Sequence, residues 1–380
     1  MPDLAILSPF SWVSGRPHGG ITPVIRNLTL EFASNGIEVD LLVRQASPDQ
    51  EAPNDLPEGV RIVNLNARGR VKLALAVANY LKATRPRVLL SAGHRFNISA
   101  AWAGKLAGTS KVFHRVGNPM SREAKELGYF HWWKRMRSIS FFYNWADGII
   151  AISDGVAQDL MDNTSLDQGI IHVIHNPILT KDLLKRSKEP VQHPWFHPGS
   201  PPVIIGVGRL ARQKGFDVLL RAFVRIRNHL DCRLMILGEG PEKKALENLA
   251  TSLGISEYVN MPGFIPNPFP FIRGAAVFAL PSIYEGFGNV LVEALAVETP
   301  VVAADCPGAP REILDGGRYG RLVPTNDHES LADAILETLN ERPNPSMFAK
   351  AVRPFKASTI AQNYMETLGL TGKGKTEVAP

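Results

Sequence analysis

Pro281-Ser-Ile-Tyr-Glu-Gly-Phe-Gly-Asn-Val-Leu-Val-Glu293 places two glutamates, Glu285 and Glu293, around a glycine-bracketed turn that opens into a helix. Ala276-Val-Phe-Ala-Leu280 precedes it and Pro300-Val-Val-Ala-Ala304 follows, and both read as short buried strands. Strand, Gly-rich turn, helix, strand is the repeating unit of a parallel α/β sheet. Glu285 then stands at the mouth of the turn and Glu293 inside the start of the helix. A helix N-terminus offers unpaired N–H groups and the positive end of a dipole. In an α/β protein it is where a phosphate-bearing or hydroxyl-rich ligand sits.

The same alternation extends in both directions. Upstream, strands are expected at Leu4–Leu7, Val39–Val43, Arg61–Leu65, Val88–Ser91, Lys111–His114, Gly148–Ile152 and Ile171–Ile174. Helices are expected from Ile21 to Asn35, closed by Gly36, and from Val71 to Ala83. The proline-rich stretch from Ser187 to Pro202 has no periodicity and reads as a linker. Strands resume at Pro202–Val207, Cys232–Leu237, Val259–Met261 and Gly320–Val323. The expected fold class is therefore α/β, two Rossmann-like doubly wound domains facing a central cleft. The boundaries drawn are 1–185 for an N-terminal domain, 186–201 for the linker, and 202–352 for a C-terminal domain. Residues 353–370 form a C-terminal helix packing back on the N-terminal domain, and 371–380 read as a disordered tail.

At 380 residues, two domains are the natural expectation, and 44% hydrophobic with 21% charged content fits a soluble globular chain. Cys232 and Cys306 lie far apart without metal-ligand spacing, which points to free thiols in a reducing compartment. The start, Met-Pro-Asp and then a strand, leads us to expect no signal peptide. No apolar run reaches the roughly 20 residues of a membrane span. Residues 1–185 hold 21 Lys+Arg against 16 Asp+Glu, and the remainder 21 against 20. A basic first half suits an anionic partner such as a lipid surface, and equally suits plain solubility charge.

Gly206-Val-Gly-Arg-Leu-Ala-Arg-Gln-Lys-Gly215 follows a strand and precedes the helix Phe216 to His229. Its glycines satisfy a dinucleotide-fold pattern, but no acidic residue closes the second strand at the required distance. Arg209 and Lys214 flank the turn, whereas a nicotinamide cofactor's pyrophosphate is held mainly by backbone N–H groups. Two cations imply strong neutralisation of phosphate charge; the plain alternative is surface charge at a strand–helix junction.

Taken together, Gly-Arg-Leu-(x)3-Lys-Gly at 208–215, Leu237-Gly-Glu-Gly-Pro241 and Glu-Gly-Phe-Gly-Asn-Val-Leu-Val-Glu at 285–293 resemble the retaining, GT-B-fold glycosyltransferases of family 4, or glycosyltransferase group 1. The resemblance is strong over about 202–325. It is weaker in the first half, through His18-Gly-Gly20 and Ala151-Ile-Ser-Asp154. It implies a nucleotide diphosphate sugar as donor, with UDP-sugars favoured by the form of His175-Asn-Pro-Ile178. It further implies a hexose or N-acetylhexosamine for transfer and a lipid-linked or cell-envelope glycan as acceptor. Catalytic roles would fall to His114, Arg209, Lys214 and Glu285. Donor contacts would come from Gly20, Gly208, Arg209, Lys214, Glu285, Gly286, Phe287, Gly288, Asn289, Val290, Glu293, Phe264 and Ile265, with Glu293 on the ribose hydroxyls. Acceptor contacts would come from His18, Gly19, His94, which like His114 is expected at a strand end, and Arg115, and the sequence departs from the commoner family pattern after His114. The chain has no Asp-x-Asp motif, so no metal and no other cofactor is expected; Arg209, Lys214 and the helix start after Gly288 would offset the diphosphate charge instead.

Two glutamates also satisfy the count for a retaining glycosidase, but that mechanism has no use for a phosphate clamp. Two rival readings keep the same architecture: a nucleotide-sugar 2-epimerase, and a non-catalytic subunit of a transferase complex. Tyr129-Phe-His-Trp-Trp-Lys-Arg-Met-Arg137, with Phe141-Phe-Tyr143 and Trp145, reads either as a helix resting on an anionic membrane interface or as an amphipathic helix packing its rings into the first domain. No nucleic-acid partner is expected, and the expected location is the cytoplasm, with possible peripheral contact at the membrane face.

Overall fold

The computed structural model describes residues 1–9, 20–44, 56–125, 128–341 and 345–371. The chain forms two compact units: Met1–Pro177 together with the chain from Ala357 on, and Ile178–Lys356.

The first unit is built on a seven-stranded parallel sheet in the order β3-β2-β1-β4-β5-β6-β7. Its strands are β1 (Leu4–Leu7), β2 (Val39–Val43), β3 (Val60–Asn64), β4 (Val88–Ala92), β5 (Lys111–Val116), β6 (Gly148–Ala151) and β7 (Ile171–Val173). The connecting helices are α1 (Ile21–Ser34), α2 (Arg70–Thr84), α3 (His94–Ala107), α4 (Met120–Lys125), α5 (Tyr129–Tyr143) and α6 (Asp154–Asn163). The central strands are buried on both faces, as βαβ crossovers require. Alternate residues Ala5 and Leu7 join Val77, Leu81, Ala100 and Ala103 of α2 and α3 in one core.

The second unit starts with α7 (Lys181–Arg186) and has a six-stranded parallel sheet in the order β10-β9-β8-β11-β12-β13. Its strands are β8 (Val203–Val207), β9 (Arg233–Leu237), β10 (Val259–Gly263), β11 (Val277–Leu280), β12 (Val301–Ala304) and β13 (Arg321–Val323). Its further helices are α8 (Phe216–Arg227), α9 (Lys243–Ser252), α10 (Phe269–Gly274), α11 (Asn289–Ala296), α12 (Pro310–Ile313), α13 (His328–Asn340) and α14 (Pro345–Val352). Phe216, Leu219, Phe223 and Ile226 recur at helical spacing along α8 and fill the core against the strands. The chain then rejoins the first unit through α15 (Ala357–Leu368), which packs on α1 with Tyr364 edge-on to Phe32 at 6.3 Å.

Three sequence expectations change. The stretch 186–201 belongs to the second unit: Phe196 meets Phe271 edge-on at 5.5 Å, Asn260 lies 3.2 Å from His193, and Arg186 donates to the Pro266 carbonyl at 2.9 Å. Prolines remove backbone donors but do not prevent such packing, and the change of unit falls earlier, at Pro177–Ile178. His94 does not end a strand; it opens α3 after Gly93. β5 runs past His114 to Val116, so His114 and Arg115 are both interior strand residues, registered against Ser91 and Ala92 of β4.

Phe223 is fully buried at the centre of the second unit's core. Phe223→Ala is expected to lower stability by about 3–5 kcal/mol. Arg225→Ala, at the exposed Arg225–Asp333 ion pair of the same helix, is expected to cost less than about 1 kcal/mol. Denaturant unfolding of the two variants checks the contrast.

Candidate active site

In the second sheet the connections from β8 lead one way and those from β11 the other, although the two strands are neighbours. Ligands of open α/β sheets bind beyond the carboxyl ends of strands at such a reversal. The turn 208–215 follows β8 and the turn 281–288 follows β11, so both sequence motifs arrive at this point.

The two turns are tied together. Ile283 N donates to the Gln213 carbonyl at 2.8 Å, and Gln213 Nε2 donates to the Tyr284 carbonyl at 2.9 Å. Lys214 Nζ sits 2.5 Å from Glu285 Oε1, and Ser282 Oγ donates to the same oxygen at 2.6 Å. Glu285 is buried and Lys214 nearly so. From the other side, Glu285 N donates to the Pro307 carbonyl at 2.9 Å. Gly308 makes this closure possible: at φ +126° it lies so near that a Cβ would stand 1.9 Å from the Glu285 carbonyl oxygen. Gly288, at φ +87°, turns the chain into α11, and no side chain caps that helix. Arg209 is exposed and has no ion pair among the described residues. The aliphatic stem of Lys214 lies along Gly208.

Of the other expected donor residues, Gly286, Phe287 and Gly288 are buried, Asn289 and Val290 half-buried. The Phe287 ring is a core group, edge-on to Phe355 at 5.4 Å. Glu293 stands one turn into α11, where burial pushes its carboxyl up to about 7 against a small opposing effect of Arg186. Phe264 is exposed and Ile265 half-buried, in the turn whose Pro266 carbonyl holds Arg186. Arg186 is thus a cation beside both Glu293 and that turn, a role hidden by its place at the edge of the expected linker. Ser282 and Gln213 were also not singled out in the sequence; each sits inside a quoted motif, which was the available signal.

In the first unit the corresponding reversal lies between β1 and β4. His94 follows β4, and Gly20 precedes α1 as an exposed residue. His18 and Gly19 lie outside the described residues. His114 is fully buried; its Nδ1 lies 2.8 Å from Ser91 Oγ and its ring 5.0 Å from that of Tyr143. Ser91 Oγ donates to Asn97 Oδ1 at 2.9 Å, Asn97 Nδ2 donates to Tyr143 Oη at 3.0 Å, and His94 Nδ1 lies 3.1 Å from the same hydroxyl. His114 Nε2 has no hydrogen-bond partner among the described residues. Burial drives His114 down to about 3; burial first, then nearby Arg135, Arg70 and Arg95, drive His94 down to about 4, so both are neutral at pH 7. Arg115 takes the opposite face of the sheet, as strand alternation dictates. It is buried, and its Nη2 donates to Asn176 Oδ1 at 2.5 Å. The His114 and Arg115 side chains therefore do not converge on one point.

Among the described residues no cluster of three or more His, Cys, Asp or Glu side chains is arranged to hold a metal ion.

Comparison with known proteins places this geometry. Residues 163–354 match the family model "Glycosyl transferases group 1", and residues 18–182 match "Glycosyltransferase Family 4". Over 366 residues the chain is 26% identical to the lipopolysaccharide core biosynthesis glycosyltransferase LpsE of Rhizobium meliloti, covering 92% of this chain and 96% of that one. Over 203 residues it is 32% identical to the N-acetylgalactosamine-N,N'-diacetylbacillosaminyl-diphospho-undecaprenol 4-alpha-N-acetylgalactosaminyltransferase of Campylobacter jejuni, and there the match spans 53% of either chain. The fold is shared with Anabaena HepE, solved in complex with UDP and glucose, at a TM-score of 0.76 and 20% identity over 96% of this chain and 99% of that one. The chain belongs to the group 1 glycosyltransferases, the retaining GT-B family 4.

Proposed function

We propose that the protein transfers a hexose or N-acetylhexosamine, with retention, from a UDP-sugar to a lipid-linked or cell-envelope glycan, without a divalent metal. The observation that carries this reading is the buried Lys214–Glu285–Ser282 contact beside the uncapped start of α11. It sets a cation and a hydroxyl-accepting carboxylate side by side at the sheet reversal. A diphosphate there finds Lys214, Arg209 and the α11 N–H groups, which offset the negative charge that grows as the glycosidic bond breaks. Glu285 accepts hydrogen bonds from the donor sugar, Glu293 from the ribose, and the turn at Phe264 and Ile265 meets the base. Support for UDP comes from the complex of the structurally similar HepE. Support for the acceptor class comes from the lipopolysaccharide-core and diphospho-undecaprenol relatives.

In the first unit, His114 is the proposed group at the reacting sugar, with its neutral ring and free Nε2 as support. Gly20 and the segment carrying His18 and Gly19 serve donor and acceptor, and His94 and Arg115 the acceptor side.

Lys214 meets charge that develops during reaction, so it contributes more to turnover than to ground-state binding. With a UDP-sugar chosen by thermal shift from a panel of nucleotide sugars, Lys214→Ala is expected to lower kcat by about 10²-fold or more, with UDP affinity changed far less. Full activity in both Lys214→Ala and Arg209→Ala would falsify the clamp. Formation of an isomerised nucleotide sugar from donor alone contradicts the transferase reading.

Glu293 gives the donor site a pH signature. Its carboxyl, raised to about 7 by burial, is only partly ionised at neutral pH, and the ionised form accepts both ribose hydroxyls. UDP affinity is expected to rise from about pH 6 to about pH 8 and to level off above; in Glu293→Gln the rise shrinks to the part set by the terminal phosphate of UDP, which ionises at about pH 6. The ligand-free fold has the opposite sign. The raised carboxyl stabilises most where it is protonated in both states, below its ordinary value, and that contribution is lost as pH rises through about 7. Calorimetric titration and thermal unfolding across this range check both signs.

A further inference from the structure

The exposed apolar surface of the first unit is concentrated on one layer of helices. Among the described residues fourteen large hydrophobic side chains are exposed, and eight of them lie on α2, α3 and α5. The three helices are adjacent: α2 packs along α3, α3 contacts α5, and Trp102 of α3 meets Phe142 of α5 with ring centroids 6.1 Å apart.

α5 divides into a buried and an exposed face, and α2 and α3 each leave large apolar side chains exposed. On α5, Met136, Ile139 and Tyr143 form the buried stripe. Phe130, Trp133, Arg137 and Phe141 form the opposite stripe, at steps of three and four residues, and all four are exposed. On α3, Trp102 and Leu106 are exposed over the buried Ala100 and Ala103; on α2, Leu75 is exposed over the buried Leu73 and Val77. The Phe130, Trp133 and Phe141 rings are therefore not packed into the core, whereas the Tyr143 ring is. Phe130 stacks on Trp133 at 6.5 Å, and the Arg137 guanidinium lies over the Trp133 ring at 5.2 Å.

The charge on this layer has one sign. α2, α3 and α5 together carry eight Lys and Arg and no Asp or Glu. With 36 Asp+Glu in 380 residues, a stretch of this length would ordinarily contain about four. Aromatic rings at headgroup level beside cations, on helices that lie flat, are what binds the surface of an anionic bilayer. No helix among the described residues is long and apolar enough to cross a membrane, which suits docking on the surface.

We propose that the exposed face of α2, α3 and α5 docks this protein on an anionic phospholipid bilayer. Phe130, Trp133 and Phe141 enter the interface, and Lys134 and Arg137 pair with lipid phosphates. This rests on exposure and charge in the first unit alone and stands or falls separately from the donor site of the second.

The test is co-sedimentation of the full chain with vesicles of one third phosphatidylglycerol in phosphatidylcholine, against phosphatidylcholine alone. Binding is expected only to the anionic vesicles, weakening steeply with added salt. Two variants, the triple Phe130→Ser/Trp133→Ser/Phe141→Ser and the double Lys134→Gln/Arg137→Gln, are each expected to lose at least about tenfold in partitioning. Both should retain the wild-type thermal unfolding midpoint, which shows that they are folded. Wild-type protein that ignores anionic vesicles overturns the proposal. So do variants that bind like wild type, or a wild-type dimer in sedimentation that the triple variant abolishes.

Discussion

The ion pair between Lys214 and Glu285 is the constraint on which the second unit's polar chemistry depends. It joins two turns separated by 71 residues in sequence, one after each of the two strands at the centre of the sheet. Both partners are largely out of water, so removing either leaves a buried charge without compensation, a loss of about 3–5 kcal/mol. Ser282 on the shared oxygen and the Gln213 bonds to the neighbouring backbone hold the geometry of the pair. On the proposed reading the same pair prepares the site for its ligand. An arriving diphosphate gives Lys214 a second counter-charge, and Glu285 gains sugar hydroxyls in exchange for part of its hold on the lysine. The site is thus pre-organised by an interaction that the ligand extends without having to create it.

Much of this was legible in the sequence, for identifiable reasons. Parallel strands buried on both faces are near-continuous apolar runs, so β1, β4, β11 and β12 stood out within a residue of their observed ends. The anion-binding turn was legible because glycine, carboxylate and cation types at fixed offsets have few other uses. What was not legible is tertiary. α3 went unread because His94-Arg-Phe-Asn-Ile-Ser-Ala-Ala has no clean helical stripe; its small residues are buried on nearly all sides. That Lys214 would face Glu285 could not be read from either motif alone. Arg186 stands at the start of the expected linker, yet besides its local pair with Asp182 it donates to the Pro266 carbonyl and its charge acts on Glu293, both far along the chain. The opposed directions of His114 and Arg115 follow from strand alternation once β5 is known to run to Val116, two residues beyond its expected end.

The polar groups around Glu285 and around His114 are satisfied to different degrees. In the second unit, Lys214, Glu285 and Ser282 satisfy one another. In the first unit, the Ser91, Asn97, Tyr143 and His94 network leaves His114 Nε2 unpartnered among the described residues, and Arg115 Nε likewise. A buried polar atom left unpaired is costly, and both atoms are shut off from solvent in this structure.

The central claim is that the paired turns of the second unit bind the diphosphate of a UDP-sugar. Calorimetric titration of the wild-type protein with UDP and with uridine tests it most directly, because the two ligands differ only in the phosphates. The account predicts that UDP binds at least about a hundredfold more tightly, a difference of about 2.8 kcal/mol, and that added salt narrows the gap. Equal affinities for UDP and uridine, or no binding of UDP, would contradict it.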